Sequence, residues 1–257
     1  MIFNTDEYIN AATEQGLKPV ELTDVSSKTK EIVLNHQVTG GDTVTLDCNF
    51  WLPLAAEHYC ISKNIRDYIL VPVPSVITEM PNTNGDSVTK QELLQFNPDL
   101  GMPAYKTFKG KGTYREHANT DISKAKGVIL EVYLKPLLGF GNNKHFKMVK
   151  LLAFDRTKDP TLCNNILSGM INTYSMGMYY TLYSCSVCGA TVSNSSGKPC
   201  SHTALKVPTY KLNNGKLAYR LLHNITGFET SVVADPAFSV ALSNLILNPR
   251  KKETYVL

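Results

Sequence analysis

A chain of 257 residues with 43% hydrophobic and 19% charged side chains has an ordinary globular make-up, which excludes disorder over most of its length. That length supports one sizeable core, or one core with a small appended module. A net charge of +4 is too mild to point to nucleic acid, and no apolar run reaches the length of a membrane span.

Residues 1–64 mix polar segments with two predicted strands, Glu31–Leu34 and Thr43–Leu46, around a Gly40-Gly41 turn, and carry no readable chemistry. Met1–Glu7 lacks the basic and apolar pattern of a secretory signal, which predicts a reducing compartment. Tyr68–Val73 reads as a strand, Pro81–Asp86 as a loop of turn residues, and Ser87–Leu94 as the start of a short helix. Gly127–Leu134 and Phe146–Phe154 are β-rich runs separated by the Gly139–Asn143 turn, which predicts a hairpin.

Asp159 is placed to cap a helix with Pro160 at its first position and Gly169 past its end; Leu162, Ile166 and Leu167 would face the core. Ile171–Tyr183 reads as one strand. Period-two alternation puts Tyr174, Met176, Met178, Tyr180 and Leu182 on one face and Thr173, Ser175 and Gly177 on the other. After a Leu212–Lys216 turn, Gly227–Val233 is a short strand, and Asp235-Pro236 repeats the cap-and-proline signal before a last helix bearing Phe238, Leu242, Leu245 and Ile246. Arg250, Lys251 and Lys252 form a basic cluster in a solvated tail spanning 247–257. The expected class is α+β, with a barrel-like sheet and one metal-bound insertion.

That insertion, residues 184–204, contains Cys185 and Cys188 followed by Cys200 and His202. Two close pairs of soft or borderline ligands can close a tetrahedral zinc site, and a segment this short needs metal to hold its shape. Gly189 suits the tight turn, and Asn194–Pro199 reads as the loop between the half-sites. Four protein ligands leave no open position, so the predicted Zn2+ is structural. Cys48, Cys60 and Cys163 lie outside the cluster and read as small core residues.

A serine hydroxyl becomes a useful nucleophile when a base takes its proton and a third group orients that base. His117 closes a segment just before a strand, Ser175 sits in Tyr-Ser-Met-Gly, and Glu229 lies on a later strand. Singly, they also read as a loop histidine, a small strand residue and a solvated strand charge.

The blocks Pro81–Asp86, Glu92-Leu93, Thr107–Gly110, Glu116-His117, Ala125–Val128, Asp155–Pro160, Ser168-Gly169, Tyr174–Gly177, the cysteine pair and Phe228–Ala237 occur in one order. Over 65–246 the chain thereby resembles the prohead (head maturation) serine proteases of tailed phages, in a zinc-knuckle variant. The resemblance implies the fold of the herpesvirus assemblin proteases, a small β-barrel ringed by helices, with the nucleophile and base on neighbouring strands. It makes Ser175 the nucleophile and His117 the general base. Glu229 is the favoured third member, with Asp155 as its rival. Implied substrates are scaffold and major capsid proteins and the chain itself, cut inside the assembling prohead in the host cytoplasm, with no membrane or nucleic-acid partner. The rival expectations are a zinc-ribbon binding module and a structural virion component without proteolytic activity.

Overall fold

In the computed structural model the described residues are 52–137, 145–204 and 217–238, with the backbone of short flanking elements at 20–21, 31–35, 43–51, 210–211 and 254–255. The architecture is α+β and dominated by strands. Ten strands frame the site: β1 (Tyr68–Ile77), β2 (Asp86–Ser87), β3 (Gly112–Arg115), β4 (Gly127–Pro136), β5 (Phe146–Asp155), β6 (Tyr174–Tyr179), β7 (Leu182–Cys185), β8 (Thr191–Ser193), β9 (Arg220–His223) and β10 (Thr226–Val232). Helices α1 (Cys48–Tyr59), α2 (Lys90–Leu94) and α3 (Pro160–Leu167) accompany them.

The main sheet has the order β6-β10-β3-β4-β5-β1 and curls into a half-barrel, bringing its edge strands β6 and β1 near each other. β4 and β5 pair antiparallel over their whole length, as the hairpin expectation required. The connecting turn lies outside the described residues. β1 contains Pro72 and Pro74, which cannot donate to a ladder; the strand accordingly sits at the edge, paired only with β5. A second sheet has the order β8-β7-β9-β2, with β9 and β2 parallel.

Two apolar clusters lie on opposite faces of the main sheet. One gathers Ile69, Val71, Val132, Leu152, Phe154 and Tyr174 with residues from the second sheet. The other packs Leu52, Ala56 and Tyr59 of α1 against Leu70, Tyr114 and Leu151. Leu52, Ala56 and Tyr59 therefore share the core of the main sheet. Helix α1 was not foreseen, although the Leu52, Ala56 and Tyr59 spacing is helical.

The strands at Glu31–Asn35 and Thr43–Asp47 form the expected antiparallel pair, while their Gly40-Gly41 turn lies outside the described residues. Likewise, the Leu212–Lys216 turn is outside them, between the paired segments Tyr210–Lys211 and Leu217–Ala218. α2 begins three residues later than the sequence suggested, because Ser87 is taken into β2 and the Thr89 side chain caps the helix by accepting from Glu92 N–H.

α3 has the predicted start: the Asp159 carboxylate accepts from Leu162 N–H, Pro160 opens the helix, and Gly169 follows it at φ 73°. Leu162 and Ile166 are buried as expected, but Leu167 is exposed and Cys163 takes the inward place. With 3.6 residues per turn, position 163 shares the face of 162 and 166 better than 167 does. Cys60 is exposed in a left-handed turn, so of the expected core cysteines it is Cys163 that is buried; the Cys48 side chain lies outside the described ones.

The strand expected over 171–183 is two strands. β6 stops at Tyr179 and β7 starts at Leu182 in the other sheet, so the chain crosses between sheets at Tyr180-Thr181. Asp235-Pro236 does not open a helix within the described residues, although Phe238 packs on the core as expected. Leu242, Leu245, Ile246 and the basic tail lie outside them.

Candidate functional site

The centre of the site is built where three strands run side by side. β10 lies between β6, which carries Ser175, and β3, which ends just before His117. The serine and histidine elements are therefore next but one, rather than neighbours as the resemblance implied, because the Glu229 strand is inserted between them. The β6–β10 register sets Ser175 opposite Ser231 and Gly177 opposite Glu229, so these four residues share a face.

His117 reaches that face through a tight bend. Glu116 and His117 have φ of 48° and 55°, consecutive left-handed conformations that non-glycine residues rarely adopt. The bend is pinned by Glu116 N–H donating to Val232 O at 2.9 Å and by Ala234 N–H donating to Glu116 Oε1 at 3.0 Å. It brings His117 Nδ1 to 2.7 Å from Glu229 Oε1. The histidine side chain remains 45% exposed while the glutamate is wholly buried.

Glu229 is thus not the solvated strand charge of its plain reading. Its second oxygen accepts from Ser231 Oγ at 2.5 Å. Burial of a carboxylate is costly unless its lone pairs are met, and here a ring nitrogen and a hydroxyl meet them. Gly177 makes the arrangement sterically feasible. A Cβ at that position would stand 2.7 Å from Glu229 Oε1 and 2.3 Å from the Phe228 ring. Ser231 was missed at the sequence level, although its two-residue spacing from Glu229 on a strand already puts both on one face.

Asp155 goes elsewhere. One oxygen accepts from Thr157 N–H and Oγ1 and from Lys158 N–H, and the other accepts from Ser62 N–H at 2.6 Å. It ties the end of β5 to the α1–β1 connection and is not the carboxylate at His117.

Ser175 and His117 line one cleft of about 260 Å³, at the opening between the edge strands β6 and β1. Its walls include the apolar Met176, Met178 and Phe228, while Asn82 and Asn84 of the loop before β2 and Asp86 at the start of β2 contribute polar groups. Thr83 N–H and Oγ1 both donate to Ala237 O, fixing that loop against the segment after β10. By its residue types 81–86 reads as a loop of turn residues, and it is also the first of the ordered blocks behind the resemblance.

The second candidate is the Cys/His cluster. Cys185 Sγ, Cys188 Sγ, Cys200 Sγ and a His202 ring nitrogen all lie within 4.8 Å of one another. Tetrahedral zinc with Zn–S near 2.3 Å needs ligand atoms roughly 3.8 Å apart, so small movements would close the set around a metal ion. The local backbone fits: Gly189 has φ 70°, its N–H donates to Cys185 O at 2.9 Å, and Val187 N–H points at Cys185 Sγ from 3.4 Å. Burial opposes ionisation of Cys200, yet donors from Thr203 and the His202 backbone, with the neighbouring thiols, bring it down to about 6.

The knuckle is anchored in the body rather than appended to it. Tyr183 of β7 and Val192 of β8 belong to the main core cluster. No helix among the described residues is long and apolar enough to cross a membrane. No family model, no curated protein and no solved structure matches this chain.

Proposed function

We propose that the chain is a serine endopeptidase of the prohead-maturation kind, with Ser175 as nucleophile, His117 as general base and Glu229 as the group that orients the base. The observation that carries this reading is the hydrogen bond from the His117 ring to the buried Glu229, beside a cleft that Ser175 also lines. With Nδ1 donating to Glu229, Nε2 is the ring nitrogen left to serve a hydroxyl. Ser175 Oγ adds to the scissile carbonyl as its proton passes to Nε2. The imidazolium, stabilised by Glu229, then protonates the departing amine, and water repeats the sequence to release the acyl group. The curled sheet is in keeping with a small assemblin-like barrel. Scaffold and capsid proteins as substrates, self-cleavage and action inside the assembling prohead rest on the ordered sequence blocks.

In the same reading Cys185, Cys188, Cys200 and His202 hold zinc, which binds the two ends of the knuckle and takes no part in the reaction. A zinc-ribbon binding module would account for this cluster alone, but it gives no use to a buried glutamate bonded to a histidine beside a serine-lined cleft.

Co-expression of the full chain with the scaffold and major capsid proteins of its virion tests the proposal. Ser175→Ala and His117→Ala should each abolish processing, since nucleophile and base fail together rather than additively. Processing by Ser175→Ala at the parental rate would overturn the assignment.

A further inference from the structure

A second serine, histidine and carboxylate come together on the second sheet. In the β7–β9 register Ser184 stands opposite Leu221 and Leu182 opposite His223, so Ser184 and His223 are diagonal neighbours on one face. Tyr183 and Leu222 point to the other face and are buried in the main core. Ser184 Oγ lies 2.7 Å from His223 Nε2. On the far side of the ring, His223 Nδ1 lies 3.5 Å from Glu92 Oε2, contributed by α2.

Glu92 is 4% exposed, and its other oxygen accepts from Ile225 N–H at 3.1 Å, which fixes the carboxylate plane. A hydrogen bond between a surface serine and a histidine needs no such partner. A carboxylate buried at the ring nitrogen remote from the hydroxyl favours the tautomer with Nδ1 protonated and Nε2 free to accept. Thr191 Oγ1, 3.3 Å from Ser184 Oγ, places a second hydroxyl beside the reacting position.

We propose that Ser184, His223 and Glu92 form a second nucleophilic centre, which takes small activated acyl esters and is independent of the peptidase reading. Ser184 Oγ bonds to the acyl carbon while its proton passes to His223 Nε2. The ester C–O bond then breaks, the leaving alcohol takes that proton, and water later hydrolyses the acyl-serine to a carboxylic acid. The restriction to small acyl groups follows from placement: Ser184 is in mid-sheet, between β8 and β9, where side chains of both neighbouring strands crowd a large substrate.

The test uses full-length, zinc-replete Ser175→Ala protein treated with p-nitrophenyl acetate, with acetylation mapped by peptide mass. Ser184 should acetylate about 10² times faster than Ser193, an ordinary hydroxyl on the same face of the sheet, and His223→Gln should remove that advantage. Ser184→Ala in the same background should lose the matching share of p-nitrophenol release. Equal rates at Ser184 and Ser193, or a rate at Ser184 unchanged by His223→Gln, would overturn the proposal. Because Ser175 is absent throughout, neither outcome bears on the peptidase.

Discussion

Glu116 and His117, two consecutive non-glycine residues in left-handed backbone, store strain on the order of 1–3 kcal/mol each, held by the bonds to Val232 and Ala234. That strain aims one ring at one carboxylate. In the proposed peptidase, removing the charge of Glu229 leaves nucleophile and base in place, so Glu229→Gln should slow cleavage by about 10²–10⁴-fold, measured as kcat/KM on a cleavable peptide, with the fold kept. Asp155→Asn should do the reverse. It puts an amide among N–H donors, so urea unfolding should show a loss of roughly 1–3 kcal/mol with the chemical step little changed. Gly177→Ala forces a methyl against Glu229 and Phe228 and should cut activity at least tenfold, read with the same peptide.

At the scale of elements, the knuckle has two kinds of support. β7 and β8 are held by Tyr183 and Val192 in the core, whereas the turn at 186–190 and the segment 194–204 depend on the ligands they carry. As-purified protein should contain about one zinc per chain. Chelation should raise amide exchange across 186–190 and 194–204 while Tyr183, Val192 and the β4–β5 hairpin stay protected, and Cys188→Ser should give the same pattern without chelator. Metal-free protein straight from expression, or uniform loosening of the whole chain, would count against this division.

For the whole molecule, the half-barrel wall holds a lysine with no exposure at all. Lys150 Nζ donates to Thr230 Oγ1 at 2.6 Å and lies 4.1 Å from the centre of the Phe108 ring. Burial lowers it to about 7, against a smaller opposing pull from Glu229. A folded value below the unfolded one means the unfolded chain binds more protons between about pH 7 and the usual lysine value of ~10.4. The stability contributed by this group is therefore full above that window and is lost as pH falls toward 7, at up to roughly 1.4 kcal/mol per pH unit. Lys150→Met lacks this term. Its stability relative to the parent should be most favourable near pH 7 and decline toward pH 10, as urea unfolding at several pH values would show; a pH-independent difference would mean that Lys150 titrates normally.

What the sequence by itself determined is local. The Asp159-Pro160 start and Gly169 stop of α3, the alternation in β6, the β4 and β5 runs and the spacing of the metal ligands each depend on a few adjacent residues, whose caps, periods and turns act at short range. The irregular order of predicted strands and helices likewise set the α+β class. Other features depended on contacts between distant segments. Strand order put β10 between β6 and β3, so that Glu229 met a histidine 112 residues away while Asp155 was consumed in a turn. It also split 171–183 between two sheets and joined Ser184, His223 and Glu92 from three separate elements. Only the tertiary structure could decide these, because sheet register and curl fix which side chains face one another, and neither is encoded in the separation of residues along the chain.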